Sequence, residues 1–387
     1  MSRLLVVVQR YGEEVVGGSE GHARAVAHRL AERHEVEVAT SNALDYWSWE
    51  PHFAPGVSDD GDVTVRRFGG RARRAADFKE FEDRVLLHEH DLEDEVDWLV
   101  RQGPDCPELL EFLHAEGSTY DAVIFYTYIY APTALGLPLV PERAVLIPTA
   151  HRERALALAP YRALFQMPRA IGYLTPEERD VVHATMRNEL VPSTILGFAL
   201  DDPPATDAAA FRARNAIVGP LVLYVGQVSE GKGIHELLRA WDVFRARGGF
   251  ADATLALAGT VRMAIPERPD VRVLGRVSDA EKWSALAAAD VLVHPSHLES
   301  LGITLLEAWL MATPVLVPSF NAVTAGQVHR SQGGAVYASS DGFADELATL
   351  LLGTDHGARG KAWVERECSW PAFDDRLAEL LELAGVA

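Results

Sequence analysis

At 387 residues the chain is too long for one ordinary hydrophobic core and suits two domains. Hydrophobic residues at 48% and charged residues at 24% exclude a disordered chain, and a formal net charge of −20 excludes the basic face that nonspecific nucleic-acid binding requires. The two cysteines, Cys106 and Cys368, lack metal-type spacing and fit a reducing cytoplasm; the apolar run near the N-terminus is too short for a signal peptide or membrane span, so any membrane contact is expected to be peripheral.

In chain order, Leu4–Val8 is an apolar, β-branched run that predicts a buried first strand. Gly17 and Gly18 then precede Ser19 and a helix with Ala23, Val26, Ala27 and Leu30 at helical spacing, and Val36–Thr40 supplies a second strand. Residues 4–40 thus read as a βαβ unit with glycines where backbone can approach a ligand, although the G-x-G-x-x-G dinucleotide spacing is absent. A simple tight turn accounts for these glycines equally well.

Residues 41–118 carry fewer signals. Trp47 and Trp49 lie in a Pro-containing loop, Asp60-Gly61-Asp62 reads as a turn rather than a metal site, and Val63–Phe68 alternates as a strand does. Arg66, Arg67, Arg71, Arg73 and Arg74 form a basic cluster that suits a solvated surface or contact with an anionic acceptor or membrane. One or two acidic surface helices are expected over residues 77–116, broken at Gly103-Pro104. Further strands are predicted at Asp121–Tyr126, Ala144–Thr149, Ile171–Thr175 and Val191–Leu196, with a helix over Pro176–Arg187. His151 follows the second of these at a carboxyl strand end, where open α/β sheets bind ligands; a hydrogen-bonded loop histidine is the other reading.

The Leu200–Thr206 segment, LDDPPAT, reads as a linker, and a second alternating pattern follows it. Leu221–Val225 predicts a strand running into GQVSEGKG, and Ile234–Arg247 a helix. Lys232 then sits at a βα turn beside glycine amides, a suitable phosphate clamp, although Gly233 occupies the position where a nucleoside-triphosphate P-loop needs Ser or Thr. Strands at Thr254–Ala258, Val271–Leu274 and Val291–His294 lead to a helix over Gly302–Ala312. That helix begins near Leu301 and Gly302, so its unpartnered first amides and positive dipole end favour an anion. Glu299 precedes it and Glu307 lies beyond its first turn, off the apolar face. Carboxylates repel phosphate, so their expected partners are hydroxyls attached to it, such as a ribose diol and a sugar ring; a solvated loop and helix glutamate is the plainer reading.

Taken together, GGSE, VGQVSEGKG, LGRVSDAEKW and HPSHLESLGITLLEAWLMATPVLVP, followed by RSQGGAVY and CSW, resemble in order and spacing the retaining glycosyltransferases of family 4, with Glu299 and Glu307 matching its E-x7-E element. The resemblance implies an α/β GT-B fold: two Rossmann-like parallel-sheet domains facing across a cleft, residues 1–200 with a returning helix 370–387, and residues 201–369. It implies metal-independent transfer of a sugar from a nucleotide-diphosphate sugar, without a cofactor, to an acceptor that is a carbohydrate, lipid-linked or a small molecule. Cytoplasmic residence, with contact at the inner membrane face, accords with that. Residue by residue, it implies that Lys232, Gln227 and the amides near Ser300, Leu301 and Gly302 hold the diphosphate. Glu299 would meet donor sugar hydroxyls, Glu307 the ribose and Val277 the base, while Gly17 and Gly18 approach the sugar and phosphate and His151 faces acceptor and sugar. Gln227 stands where the family usually has an arginine, which also leaves open a non-catalytic nucleotide-sugar-binding protein; a GT-B epimerase or phosphorylase would use the same scaffold.

Overall fold

The computed structural model describes residues 1–353 and 355–386. Contacts divide the chain into two compact units, Met1–Gly197 with the residues from Asp375 onward, and Phe198–Asp374.

The first unit contains β1 (Arg3–Val8), β2 (Glu35–Ser41), β3 (Gly56–Asp60), β4 (Val63–Phe68), β5 (Ala122–Tyr126), β6 (Ala144–Ile147), β7 (Ala170–Tyr173) and β8 (Ser193–Ile195). They form one sheet in the order β3-β4-β2-β1-β5-β6-β7-β8, parallel except for the β3–β4 hairpin. Leu4–Val8, Val123–Tyr126 and Ala144–Ile147 are completely buried, because helices cover both faces of a parallel sheet and leave no polar alternation. The helix Gly18–Ala31 connects β1 to β2, whose register runs from Arg3 opposite Glu35 to Val8 opposite Thr40.

The second unit contains β9 (Leu221–Val225), β10 (Thr254–Ala258), β11 (Val271–Gly275), β12 (Val291–Val293), β13 (Val315–Pro318) and β14 (Gly334–Tyr337). The order β11-β10-β9-β12-β13-β14 is all parallel and corresponds to the doubly wound 3-2-1-4-5-6 arrangement. The helix Ile234–Ala246 buries Leu237, Leu238, Trp241 and Phe244 against β9 and β10 residues. Two full Rossmann-like sheets are therefore present, as expected. The final helix, Trp370–Leu383, starts in the second unit, where Trp370 Nε1 donates to Asp201 Oδ1 at 2.8 Å. Its later turns pack in the first, where Arg376 Nε donates to the Leu196 carbonyl at 2.8 Å and Thr194 Oγ1 to Glu379 at 2.7 Å.

Several expectations are corrected. Residues 77–116 form three helices, Phe78–Leu87, Leu92–Gln102 and Pro107–Glu116, because the capping box of Asp91 and Asp94 starts a new helix before the cis Gly103-Pro104 break. The strand β3 escaped detection because its residues are nearly all exposed and lack alternation. The predicted strands over Ala144–Thr149 and Ile171–Thr175 end two residues early, at Ile147 and Tyr173, and Val191–Leu196 shrinks to Ser193–Ile195. Each arginine of the cluster has a partner within the protein, Arg66 in Glu37, Arg67 in the Tyr11 carbonyl, Arg71 in Asp105, Arg73 in Glu50 and Arg74 in the Gln102 carbonyl, while Arg71 and Arg73 stay exposed as the solvated-surface reading expects. Among the described residues no helix is long and apolar enough to cross a membrane.

Candidate functional site

In a doubly wound sheet the carboxyl ends of the two central strands diverge where the winding reverses, leaving a crevice. In the second unit those strands are β9 and β12, which pair Val222 with Val291 and Leu223 with Leu292. Lys232 stands on the loop after β9, in a short 3-10 turn over Glu230–Lys232, and Glu299 on the loop after β12. Their side chains meet, with Lys232 Nζ donating to Glu299 Oε1 at 2.7 Å. His294, at the end of β12, places Nε2 3.2 Å from the same carboxylate oxygen, and Thr304 Oγ1 lies 3.2 Å from its other ring nitrogen. Burial opposes the charge on Glu299, but the hydrogen bond and field of His294 and the Lys232 ammonium hold its carboxyl well below the usual carboxylate range. A firmly anionic carboxylate thus lies beside a partly exposed ammonium.

Two glycines set this geometry. Gly233 has φ +76°, and a Cβ there would stand 2.4 Å from the Pro295 carbonyl, so the Lys232 loop can lie against the β12 loop only with glycine. Gly302, at φ +78°, is the N-cap of the helix Ile303–Leu310, which therefore begins one to two residues later than expected. The amides of Ser300, Leu301 and Gly302 lie on the approach to that helix, and the buried Gln327 side chain anchors the Leu301 carbonyl.

Glu307 is buried, in a helix buried nearly all round, which corrects the plainer reading of a solvated helix glutamate. Its carboxylate accepts from Lys282 Nζ at 2.7 Å, and Lys282 also lies 2.9 Å from Asp279. Burial pushes the Glu307 carboxyl above its ordinary value, and Lys282 counters part of that. The two carboxylates of the E-x7-E element are thus differently poised, one kept ionised and one raised by burial. Gln227 follows β9, its carbonyl accepting from the Tyr224 hydroxyl at 2.8 Å, and Val277 follows β11, immediately before the Ser278 cap of the next helix.

In the first unit the winding reverses between β1 and β5. Gly17 caps the helix that starts at Gly18, and a Cβ on Gly17 would fall 2.1 Å from Glu20 Oε2, so any larger residue displaces that carboxylate. Glu20 is buried and accepts from Arg10 Nε at 3.0 Å and Gln9 Nε2 at 2.8 Å. His151 follows β6 with Nδ1 3.3 Å from Glu153 Oε1, which in turn accepts from the Tyr128 hydroxyl at 2.7 Å. Burial raises the Glu153 carboxyl. The preceding residue, Ala150, donates its amide to the buried Glu178, whose other oxygen accepts from the Leu174 amide, both at 2.5 Å; burial lifts Glu178 to about 8. Thr127 and Thr149, beyond the ends of β5 and β6, hold φ of +60° and +49° and share a hydroxyl hydrogen bond at 3.1 Å, strain of the kind concentrated at functional loops.

Lys232, Glu299, Ser300, Leu301 and Gly302 are thus gathered on adjacent loops of one unit with Glu307 on the following helix, while Gly17, Gly18 and His151 belong to the other unit. Sequence reasoning missed Lys282, His294 and Thr304 around the carboxylates, and Arg10, Glu20 and Glu178 behind the first unit's loops. Lys282 lies within LGRVSDAEKW, His294 and Thr304 within HPSHLESLGITLLEAWLMATPVLVP and Glu20 within GGSE, but none of these motifs names its partner.

Residues 219–352 match the family described as Glycosyl transferases group 1. The matched stretch lies within the second unit, which holds Lys232, Glu299 and Glu307. A GDP-mannose-dependent monoacylated alpha-(1-6)-phosphatidylinositol monomannoside mannosyltransferase of Corynebacterium glutamicum is 29% identical over 186 residues, 42% of this chain and 47% of that protein. The phosphatidyl-myo-inositol mannosyltransferase of Mycolicibacterium smegmatis is 28% identical over 275 residues, 66% of this chain and 67% of that one. The match thus spans about half the length of the first relative and two thirds of the second. Among solved structures, an alpha,alpha-trehalose-phosphate synthase (UDP-forming) of Burkholderia vietnamiensis has a TM-score of 0.73 at 15% identity, covering 100% of this chain and 99% of that one. At that identity the likeness shows the fold alone, which is GT-B over the whole described chain.

Proposed function

We propose that this chain is a member of the group 1 family and a retaining glycosyltransferase that moves a sugar from a nucleotide-diphosphate sugar to an acceptor hydroxyl. The observation that carries this reading is the pairing of Lys232 with Glu299 at 2.7 Å across the switch point, beside the N-terminus of the helix Ile303–Leu310. An ammonium, helix amides and an ionised carboxylate together fit a diphosphate with sugar hydroxyls attached.

In the reaction the bond from the anomeric carbon to the diphosphate oxygen breaks, and negative charge grows on that oxygen. Lys232 and the amides of Ser300, Leu301 and Gly302 stabilise it, the form of catalysis that acts only where charge develops. Glu299 orients the donor sugar through its hydroxyls, Glu307 takes the ribose diol, Val277 lies at the base and Gln227 donates one neutral hydrogen bond to the phosphates. The acceptor oxygen attacks the same face, its proton passing to the departing phosphate oxygen, so that one C–O bond forms as the other breaks. We assign Gly17 and Gly18 to the sugar and phosphate and His151 to the acceptor. The reaction is placed in the cytoplasm, with a carbohydrate acceptor that is free or lipid-linked, a class suggested by the phosphatidylinositol named in both relatives.

The test is a panel of UDP-, GDP-, ADP- and dTDP-sugars followed by thermal stabilisation and by release of nucleoside diphosphate, with Lys232→Ala and Glu307→Ala beside the wild type. Selective stabilisation and release by one donor, lost in both variants, supports the reading; no response to any donor refutes it. Gln227 favours one second reading, a protein that binds the donor without turnover, and stabilisation without product across acceptors would decide for it.

A further inference from the structure

Two tryptophans two residues apart have opposite fates. Trp49 is buried, its indole donating to the Gln102 carbonyl at 2.8 Å, whereas Trp47 is 57% exposed. An exposed tryptophan on a mobile loop needs no explanation, but this loop is fixed. Asp45 accepts from the amides of Trp47 and Ser48 at 2.8 and 3.0 Å, and the Ser48 carbonyl accepts from the Arg74 amide at 2.7 Å. The Trp47 ring rests on Tyr46 with centroids 4.6 Å apart, and the Arg10 guanidinium lies 5.2 Å over Tyr46.

Arg10 joins this platform to the loop of Gly17 and Gly18. While paired with Glu20, it donates to the Leu44 carbonyl at 2.7 Å and to the Val16 carbonyl at 3.3 Å, tying the loops after β2 and β1 to each other. The exposed indole is thus held at the carboxyl rim of the sheet, beside the switch point of the first unit. The same two loops expose Glu13, Glu14 and Glu50, of which Glu14 lies 3.4 Å from His52 and Glu50 pairs with Arg73.

An indole face attracts the C–H face of a saturated ring through its negative π cloud, and carboxylates accept hydroxyls while repelling phosphate. We infer that Trp47 is the stacking platform for the acceptor and that this acceptor presents a non-phosphorylated ring polyol, a pyranose or cyclitol, at that point. The inference rests on the glycosyltransferase reading and narrows its substrate class.

The experiment is 19F NMR of the full chain labelled with 5-fluorotryptophan, with Trp47→Phe assigning the Trp47 resonance. Methyl α-D-mannopyranoside, methyl α-D-glucopyranoside and myo-inositol are titrated to their solubility limits, against glycerol, glucose 6-phosphate and phosphatidylglycerol vesicles. The expected result is a saturable shift of that resonance by at least one uncharged ring, with glycerol and vesicles inert and the phosphorylated ring weaker. No shift by any uncharged ring overturns the inference, as does an equal or stronger response to glycerol, glucose 6-phosphate or vesicles. With the responding ring as acceptor, Trp47→Ala is expected to raise its half-saturating concentration about tenfold while stabilisation by the donor is retained. A ring that binds at Trp47 while no nucleotide sugar stabilises the protein would sink the transferase reading and leave the platform standing.

Discussion

Replacing Lys282 with Met tests the most consequential correction, the burial of Glu307. The side chains of Lys282 and Glu307 are 22% and 10% exposed and meet at 2.7 Å. Removing one partner of a fully buried pair costs about 3–5 kcal/mol, and the partial exposure of Lys282 reduces this to about 2 kcal/mol. For a unit of this size that is a fall of about 4–8 °C in Tm. The pH dependence has a definite sign. The Lys282 pKa is raised in the fold despite burial, chiefly by Glu307, so its stabilisation is complete below the ordinary lysine value and is lost as pH climbs from there through the raised value of the fold. Glu307 is raised by burial, so its charged form is disfavoured and the cost builds as pH climbs above its ordinary 4.5. The Met variant's deficit should therefore be largest above neutrality and shrink toward pH 4.5. Thermal unfolding of the full chain across that range measures it, with the Lys282→Met/Glu307→Leu double variant expected to recover most of the loss. A pH-independent deficit, or a double variant worse than the single one, would refute the buried-pair account.

Lys232→Ala should lower nucleoside diphosphate release by about 10²–10³-fold if the ammonium stabilises the leaving group, and unchanged turnover would remove it from the chemistry. Gly233→Ala should cost more than about 2 kcal/mol, because a left-handed φ is combined with the approach to the Pro295 carbonyl, whereas Gly302→Ala, whose nearest new contact is 3.3 Å from Thr324, should cost about 1 kcal/mol; urea denaturation giving the reverse order would contradict the geometry. Arg10→Met, which strands the buried Glu20, should destabilise by about 3–5 kcal/mol, with Arg10→Met/Glu20→Gln milder in the same unfolding assay. Gln227→Arg should tighten donor binding by up to about tenfold, read by calorimetry, and an unaltered Kd would place that side chain away from the diphosphate.

What could be read from sequence follows from periodicity. The strands β9 and β10 lie where their apolar runs placed them, and Trp241 and Phe244 are buried as their spacing required. The exposed β3 carried no such pattern, and the segment beyond Pro318 folds as the helices Ala322–Ser331, Ser340–Leu351 and His356–Glu367 around β14 without having been assigned. Lys232, Glu299 and Glu307 were legible as residues at strand ends and on a helix because chemistry at such positions depends on residue type and local spacing.

Their partners were not legible. Lys282 lies 25 residues from Glu307 and Lys232 lies 67 from Glu299, and nothing local to either member specifies the other. The sequence by itself determined two alternating α/β units, a linker between them and the loops on which chemistry resides, since each is set by hydrophobic period and turn residues within a short window. Only the tertiary structure decided that Glu307 is buried, that Arg10 joins two loops through one guanidinium, and that Trp47 faces solvent while Trp49 does not. Those outcomes depend on which strands become neighbours in the sheet, and strand order is fixed by packing between segments far apart in the chain.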